Sequence, residues 1–351
     1  MWDEFQKSVK EGLPGDVIAD GKRVDPAADN NYALRQAASN GHVDVVRELL
    51  AWMDVDGRRA DPTAEKNYAI QWAAFRGHVR VVRLLLAWVG VDGKRVDPTA
   101  KKNDAIKWAA SYGHLQVVRV LLEWVGVDGR RVDPTAENNK ALTCAVSRGH
   151  LEVVQVLLAW VGVDGKRVDP TADNDALCGA AYNGHIKVVR LLLEWVGVDE
   201  RRVCPTHDDL IFAAFNGHVE VVRVLLEWMG VDGKCMDPTA ENHEAVRCAA
   251  SQGHVQVLRV LLEWVGVDGR RVDPTSENNS AVWSAATSGH VEVLRVLLAW
   301  VGVEGQRVDI EVARRAAKSP AVLALCNEAA SIAAWWSPAR VAWIIGVVAS
   351  G

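Results

Sequence analysis

The dipeptide Gly-His recurs through the chain at 41, 77, 113, 149, 184, 217, 253 and 289, with successive gaps of 36, 36, 36, 35, 33, 36 and 36 residues. A fixed period of this size restricts the fold more than any local propensity, because each copy must be one supersecondary unit that stacks on its neighbours. One representative unit, NYAIQWAAFRGHVRVVRLLLAWVGVDGKRVDPTA, runs from Asn67 to Ala100. Eight such units fill residues 30–309, leaving 1–29 and 310–351 as terminal caps. The 351 residues are one array and not a set of unlike domains.

Within a unit, Ala33, Leu34, Ala37 and Ala38 fall on one arc at about 100° per residue, which predicts a short first helix with an apolar stripe. Asn30 or Asn31 stands at its start as the N-cap, and Gly41 stops it where positive φ costs little. The second helix, His42 to Met53, turns Val43, Val45, Val46, Leu49, Leu50 and Trp52 over about half of the wheel. So broad an apolar face needs cover from its own first helix and from the next unit. In the following loop, Asp92-Gly93 predicts a two-residue hairpin turn and Asp97-Pro98 ends the excursion. The expected fold is all-α: a helix-turn-helix solenoid with hairpin loops, in which stacking supplies the core.

The run Ala-Leu-x-x-Ala-Ala-x-x-Gly-His-x-x-Val-Val-x-x-Leu-Leu, seen at 33–50, resembles the signature of ankyrin repeats, and it does so eight times over about four-fifths of the chain. Two departures stand out. The family's Thr-Pro-Leu-His opening is replaced by Asn-x-Ala-Leu, and most units have 36 residues in place of 33. The three extra residues are expected in the Trp-containing helix end and the hairpin. The resemblance implies a non-catalytic scaffold or adaptor for a protein partner, docked on the concave surface that first helices and hairpins line.

At the ends, Trp2 to Glu11 reads as a helix, followed by GKRVDPAADN, which echoes the later hairpins. Ile310 to Lys318 imitates a first helix and Ala321 to Ala334 a second, before the apolar WWSPARVAWIIGVVASG. That tail offers an alternative reading, a membrane-tethered adaptor. Against it, Arg340 near the middle of the tail would cost about 2.5–3.5 kcal/mol in a bilayer, so a cap folded on the last repeat is favoured. The N-terminus is charged and has no apolar core of a secretory signal. Six cysteines, at 144, 178, 204, 235, 248 and 326, show neither metal spacing nor a disulfide framework, which suits a reducing cytoplasm. Those at 144, 178 and 248 fall on first helices as half-buried small side chains.

Eight of ten histidines are the Gly-His residue itself, so they answer to the geometry of the repeat and not to catalysis; His207 and His243 fall where other units carry the capping Asn. No phosphate loop, nucleophile elbow, zinc spacing or calcium loop occurs. Neither an enzyme, a metal, a cofactor nor a small-molecule substrate is expected, and the chain is expected to be monomeric. Dibasic pairs recur at Lys22-Arg23, Arg58-Arg59, Lys94-Arg95, Arg130-Arg131, Lys166-Arg167, Arg201-Arg202 and Arg270-Arg271. They could track phosphates, but each is bracketed by acids and the net charge is −5, which argues against nucleic acid. The Trp closing each second helix, at 52, 88, 124, 160, 195, 228, 264 and 300, is read as a structural ladder.

Positions that vary between units are more informative. The second, fifth and ninth residues before each Gly share the face of the first helix opposite its apolar stripe. There the second to sixth units carry Tyr68, Trp72, Phe75, Trp108, Tyr112, Tyr182, Phe212 and Phe215, with Arg76, Lys107 and Arg148 among them. Aromatic residues with arginine have the composition of an interface hot spot. The competing reading is drift among duplicated units with ordinary packing between them.

Overall fold

The computed structural model describes residues 18–19, 22–23, 27–53, 59–172, 175–230, 233, 235–302 and 305–335. The helix expected at Trp2–Glu11 and the tail from 336 onward lie outside the described residues. The chain separates into two bodies, Met1–Gly179 with Trp195–Arg202, and Ala180–Glu194 with Val203–Gly351. In the first body a short antiparallel ribbon, β1 (Ile18–Ala19) and β2 (Lys22–Arg23), precedes α1 (Ala28–Asn40), α2 (Val43–Ala51), α3 (Ala64–Phe75), α4 (Val79–Ala87), α5 (Ala100–Ser111), α6 (Leu115–Glu123), α7 (Ala136–Ser147) and α8 (Leu151–Ala159). The division crosses α9 (Asp175–Tyr182). The second body holds α10 (Ile186–Glu194), α11 (His207–Phe215), α12 (Val219–Glu227), α13 (Ala240–Gln252), α14 (Val255–Glu263), α15 (Ser276–Ser288), α16 (Val291–Ala299), α17 (Ile310–Ala316) and α18 (Pro320–Trp335).

Each body is an all-α repeat array. First helices pack on first helices, α1 to α3 to α5 to α7 and α11 to α13 to α15 to α17; second helices pack on second helices in parallel. The predicted apolar stripe is the contact. Ala69, Ile70, Ala73 and Ala74 are each at most 1% exposed, as are Ala33, Leu34, Ala37 and Ala38. Alanines keep the facing backbones close, while one Leu, Ile or Val per helix fills the remaining space; such a side chain contributes about 1.5–3 kcal/mol on burial.

The Gly-His turn joins the two helices of a unit and ties that unit to the one before it. Gly77 takes φ +79°, and the N–H groups of Gly77 and His78 donate back to the carbonyls of Ala74 and Ala73, a Schellman ending. The imidazole then reaches backward along the array. His78 Nε2 donates to the Ser39 carbonyl at 3.0 Å, His114 to Phe75 at 2.9 Å and His150 to Ser111 at 3.1 Å; in the second body His254 and His290 repeat the bond to Phe215 and Ser251. Because the partner is a carbonyl, Nε2 must carry the proton. Burial pushes the His78 pKa down, against the pull of its bond to Ser39. The ring lies flat against the preceding turn: a Cβ on Gly77 would stand 2.5 Å from His114 Nδ1.

The three extra residues of the long units do not lie in the Trp-containing helix end and hairpin, where the spacing predicts them. The hairpin from Trp195 to Val203, which falls within the 33-residue spacing from Gly184 to Gly217, is as long as that from Trp88 to Val96. What that unit lacks is a left-handed triad that, elsewhere, lies within the first residues of the span given for the first helix and precedes its right-handed turns. In the 36-residue units, Glu65-Lys66-Asn67, Lys101-Lys102-Asn103 and Glu137-Asn138-Asn139 all lie near φ +52 to +65°. L-residues pay about 1–2 kcal/mol each in this region, and Asn pays least. The third place is Asn in most units for that reason and for a second one. Asn67 Oδ1 accepts from the Asp97 backbone N–H at 2.8 Å, and Asn31 and Asn103 hold Asp61 and Asp133 in the same way. The Asn side chain therefore bridges to the next unit and does not cap its own helix. The secured Asp97 in turn accepts from the N–H and hydroxyl of Thr99.

Without a triad, α11 starts directly on Thr206, whose extended backbone forms a reciprocal capping box with Asp209. Thr206 is the cap there and not His207, while His243 sits in a left-handed triad, so neither histidine caps as expected. Asp209 is 2% exposed and burial pushes its pKa up, though Thr206 partly offsets this. The hairpin turn also differs from expectation. Gly90 N donates to the Lys94 carbonyl and Val89 faces Arg95, which leaves a three-residue loop, Val91-Asp92-Gly93, with Gly93 left-handed. Val91 stands 81% exposed at its tip.

Gly77→Ala meets both a left-handed backbone and the His114 ring, whereas Gly93→Ala has the same φ but open space around it. Chemical denaturation of the full chain is expected to show a loss of about 1 kcal/mol for Gly93→Ala and at least twice that for Gly77→Ala. The raised pKa of Asp209 means that the folded state favours the protonated acid, so this group's contribution is greatest in acid and is lost as pH rises. Asp209→Asn keeps an acceptor for Thr206 without the charge. Its stability relative to the parent is expected to increase between pH 4 and pH 7, as melting curves across that range would report.

Candidate partner-docking face

In the first body, α3 and α5 place the variable positions in one aromatic row. Tyr68 and Trp72 have ring centroids 5.5 Å apart, Trp72 and Phe75 5.0 Å, Phe75 and Tyr112 4.5 Å, and Phe75 and Trp108 5.8 Å. The pairs are tilted or edge-to-face, the arrangement that ring quadrupoles favour. Spacings of three to four residues bring Tyr68, Trp72 and Phe75 together along α3, and the 36-residue repeat sets Trp108 and Tyr112 beside Phe75. Trp108 is 37% and Tyr112 42% exposed, with Tyr68, Trp72 and Phe75 half-buried.

Cations cover several ring faces. Arg148 lies 4.5 Å from the Tyr112 centroid, Lys107 5.6 Å from Trp108 and Arg76 5.9 Å from Phe75. Arg148 is fixed by Ser111, whose carbonyl and hydroxyl both accept from its guanidinium. Lys107 bridges Asp104 at 2.5 Å and Glu137 at 3.3 Å. Burial opposes its charge, but the two carboxylates outweigh this and hold its pKa above the ordinary value. Beyond Trp108 opens a cavity of about 430 Å³ lined by Lys107, Trp108, Ser111, Glu137, Lys140 and Cys144.

Eight of the eleven expected residues, Tyr68, Trp72, Phe75, Arg76, Lys107, Trp108, Tyr112 and Arg148, thus share this face. The other three belong to the second body, where Tyr182 and Phe212 meet at 6.0 Å and Phe215 is 40% exposed. Two cations outside the expected set join the face: Arg35 lies over Tyr68 at 5.4 Å, and Lys101 at 5.7 Å from the same ring. Lys101 stands in the left-handed triad, which a helical wheel does not place. Lys140, the ninth residue before Gly149, falls on one of the variable positions, and the cavity beside it has no signature in the repeat pattern.

The dibasic hairpins divide their two charges. Lys94 reaches back to Asp61 at 2.7 Å, Arg130 to Asp97 at 3.0 Å and Lys166 to Asp133 at 2.8 Å. Burial works against ionised Asp61, yet Lys94 and Thr63 together hold its pKa below the usual value. The second basic residue, Arg95, Arg131 or Arg167, pairs its backbone across the hairpin. The ladder Trp88 is half-buried, its ring edge 2.9 Å from where a Cβ on Gly90 would stand, so it pins the hairpin to the helix end. Among the described residues there is no cluster able to hold a metal ion, and no helix long and apolar enough to cross a membrane. Cys248 is buried, which together with Glu244 raises its thiol pKa to about 11.

Stacked helix pairs, each closed by a Gly-His turn and followed by a hairpin, define an α-helical repeat protein of the solenoid kind. The family model for ankyrin repeats matches residues 15–97, 34–133, 89–169, 106–204 and 210–310, and the chain belongs to the ankyrin repeat family. Among solved structures it is similar to the ankyrin repeat domain of human ASB11, at 22% identity over 60% of this chain and 95% of that one, with a TM-score of 0.35. No curated protein matches the sequence. Repeats of this family are in general protein-protein interaction modules.

The pairing of Lys94, Arg130 and Lys166 with carboxylates of the preceding hairpins leaves little net charge along that edge. Generic single-stranded RNA or DNA is expected not to bind at physiological salt; a micromolar, salt-sensitive complex in a filter or anisotropy assay would overturn this.

Proposed function

We propose that the protein is a non-catalytic adaptor that holds a protein partner along the first-helix face of its first body, through Tyr68, Trp72, Phe75, Arg76, Lys107, Trp108, Tyr112 and Arg148. The observation that carries this reading is the continuous row of five rings, edged by cations, on the side of α3 and α5 that the core does not use. Packing between units accounts for the Ala stripe beneath but does not require large rings here: the equivalent places elsewhere hold Ser39, Gln36 or Ser251. Tyr182, Phe212 and Phe215 form a smaller aromatic surface on the second body and are proposed as additional contacts. The scattered cysteines support a cytoplasmic setting.

Hot-spot aromatics typically cost about 2 kcal/mol or more in binding when truncated, roughly 30-fold each. The variant Trp72→Ala, Phe75→Ala, Trp108→Ala is therefore expected to abolish partner capture in proximity crosslinking from native lysate. Its helical circular dichroism is expected to be retained and its melting curve to stay cooperative. Capture equal to that of the parent chain would remove the partner from this face.

A further inference from the structure

The first helices of the two bodies carry opposite charge. Over α3, α5 and α7, with the residue that ends each helix, there are seven Lys and Arg against three Asp and Glu; over α11, α13 and α15 there is one Arg against five acids. The chain as a whole is at −5, so the basic excess around the aromatic row is local. Within it, Lys102 and Lys107 are matched by Glu137 and Asp104. Lys66, Arg76, Lys101, Lys140 and Arg148 pair with no carboxylate among the described residues. Two of these stand beside the row: Arg76 lies over the ring of Phe75, and Lys140 borders the cavity next to Trp108.

From this arrangement we infer that the occupant of the face is an acidic segment of a partner protein carrying an apolar or aromatic anchor. This rests on the docking face proposed above and assigns its chemistry. The anchor enters the cavity of about 430 Å³ against Trp108 and Cys144. Carboxylates of the same segment meet Lys140 at the cavity and Arg76 beside Phe75, supplying the acids that these cations lack. Complementary charge of this kind sets specificity and association rate more than bulk affinity.

A single-stranded nucleic acid would use the same residue types, but it fits less well. Stacking of bases needs free ring faces, and the faces of Tyr68, Phe75, Trp108 and Tyr112 already carry Lys101, Arg76, Lys107 and Arg148. The rings meet each other at angles of 40° to 81° and form no continuous platform. Asp104 and Glu137 stand among the cations, where they would repel an unbroken phosphate chain but leave room for separate carboxylates.

The test is a selection of random displayed dodecapeptides on the full chain, followed by anisotropy with the best synthetic peptide, its Lys-for-Glu analogue and a dodecamer of oligothymidylate. Enriched peptides are expected to combine acids with an aromatic or large aliphatic residue. Raising salt from 50 to 300 mM is expected to weaken them several-fold, and the Lys analogue is expected not to bind. The double variant Arg76→Glu, Lys140→Glu is expected to lose at least tenfold in affinity with an unchanged melting curve, while Lys187→Glu on the second body is without effect. Selection of neutral or basic peptides, failure to enrich any, indifference to the double variant, or tighter binding of the oligonucleotide would each overturn the inference. Lysate capture separates the two proposals: if it needs Trp72, Phe75 and Trp108 but tolerates the double charge variant, the face stands and the acidic assignment falls.

Discussion

A helix end leaves carbonyls without partners, and here the carbonyls of Ser39, Phe75, Ser111, Tyr182, Phe215 and Ser251 are each claimed by the imidazole of the following unit. His114 takes the Phe75 carbonyl while its ring lies against Gly77, so the same contact satisfies a polar group and sets the distance between units. Only a residue without a side chain allows that approach, and only a ring with an N–H at its far edge reaches the carbonyl. The Ala stripe follows from the separation thus imposed. Ala73, Ala74, Ala109 and Ala110 are fully buried because α3 and α5 stand too close for longer side chains at those places. The rings at Trp72 and Phe75 escape the rule by lying on the opposite side of the helix.

Much of this was legible from the period alone. The Gly-His spacing gave the units, the alanine arc gave the buried face, and the varying positions on the other side pointed to the aromatic row. Three features were not legible, each for a physical reason. The left-handed triad is spelled Glu-Lys-Asn or Lys-Lys-Asn, which reads as an ordinary helix start, since propensity says nothing of φ sign for Glu or Lys. Asn31 reads as a cap because Asn is among the favoured residues there, but its oxygen serves the Asp61 N–H thirty residues on, a distance that local rules do not span. Asp-Gly predicted a two-residue turn, yet the Gly90 to Lys94 bond encloses a third residue, Val91.

The candidate site shows a similar division. Its rings were visible as exceptions to the repeat, because duplication makes every deviation conspicuous. Its cations were visible only in part. Arg76, Lys107 and Arg148 sit on the helix or at its end and so fall on the wheel, whereas Arg35 and Lys101 reach Tyr68 from a neighbouring unit and from a segment with the opposite handedness. Electrostatics of a repeat surface therefore belong to neighbours as much as to the unit that supplies the ring.

The triad also bears on how such an array changes length. α11 opens from a capping box with no triad, and it still packs on α13 through Leu210, Ala213 and Ala214 as buried as their counterparts in α13. The three left-handed residues that follow Pro-Thr-Ala are a detachable spacer: their presence or loss leaves the buried stripe of the helix untouched and alters how one loop is tied to the next. Gene duplication and unequal exchange within such a chain can therefore trade units of 33 and 36 residues at the Pro-Thr step without reworking the core.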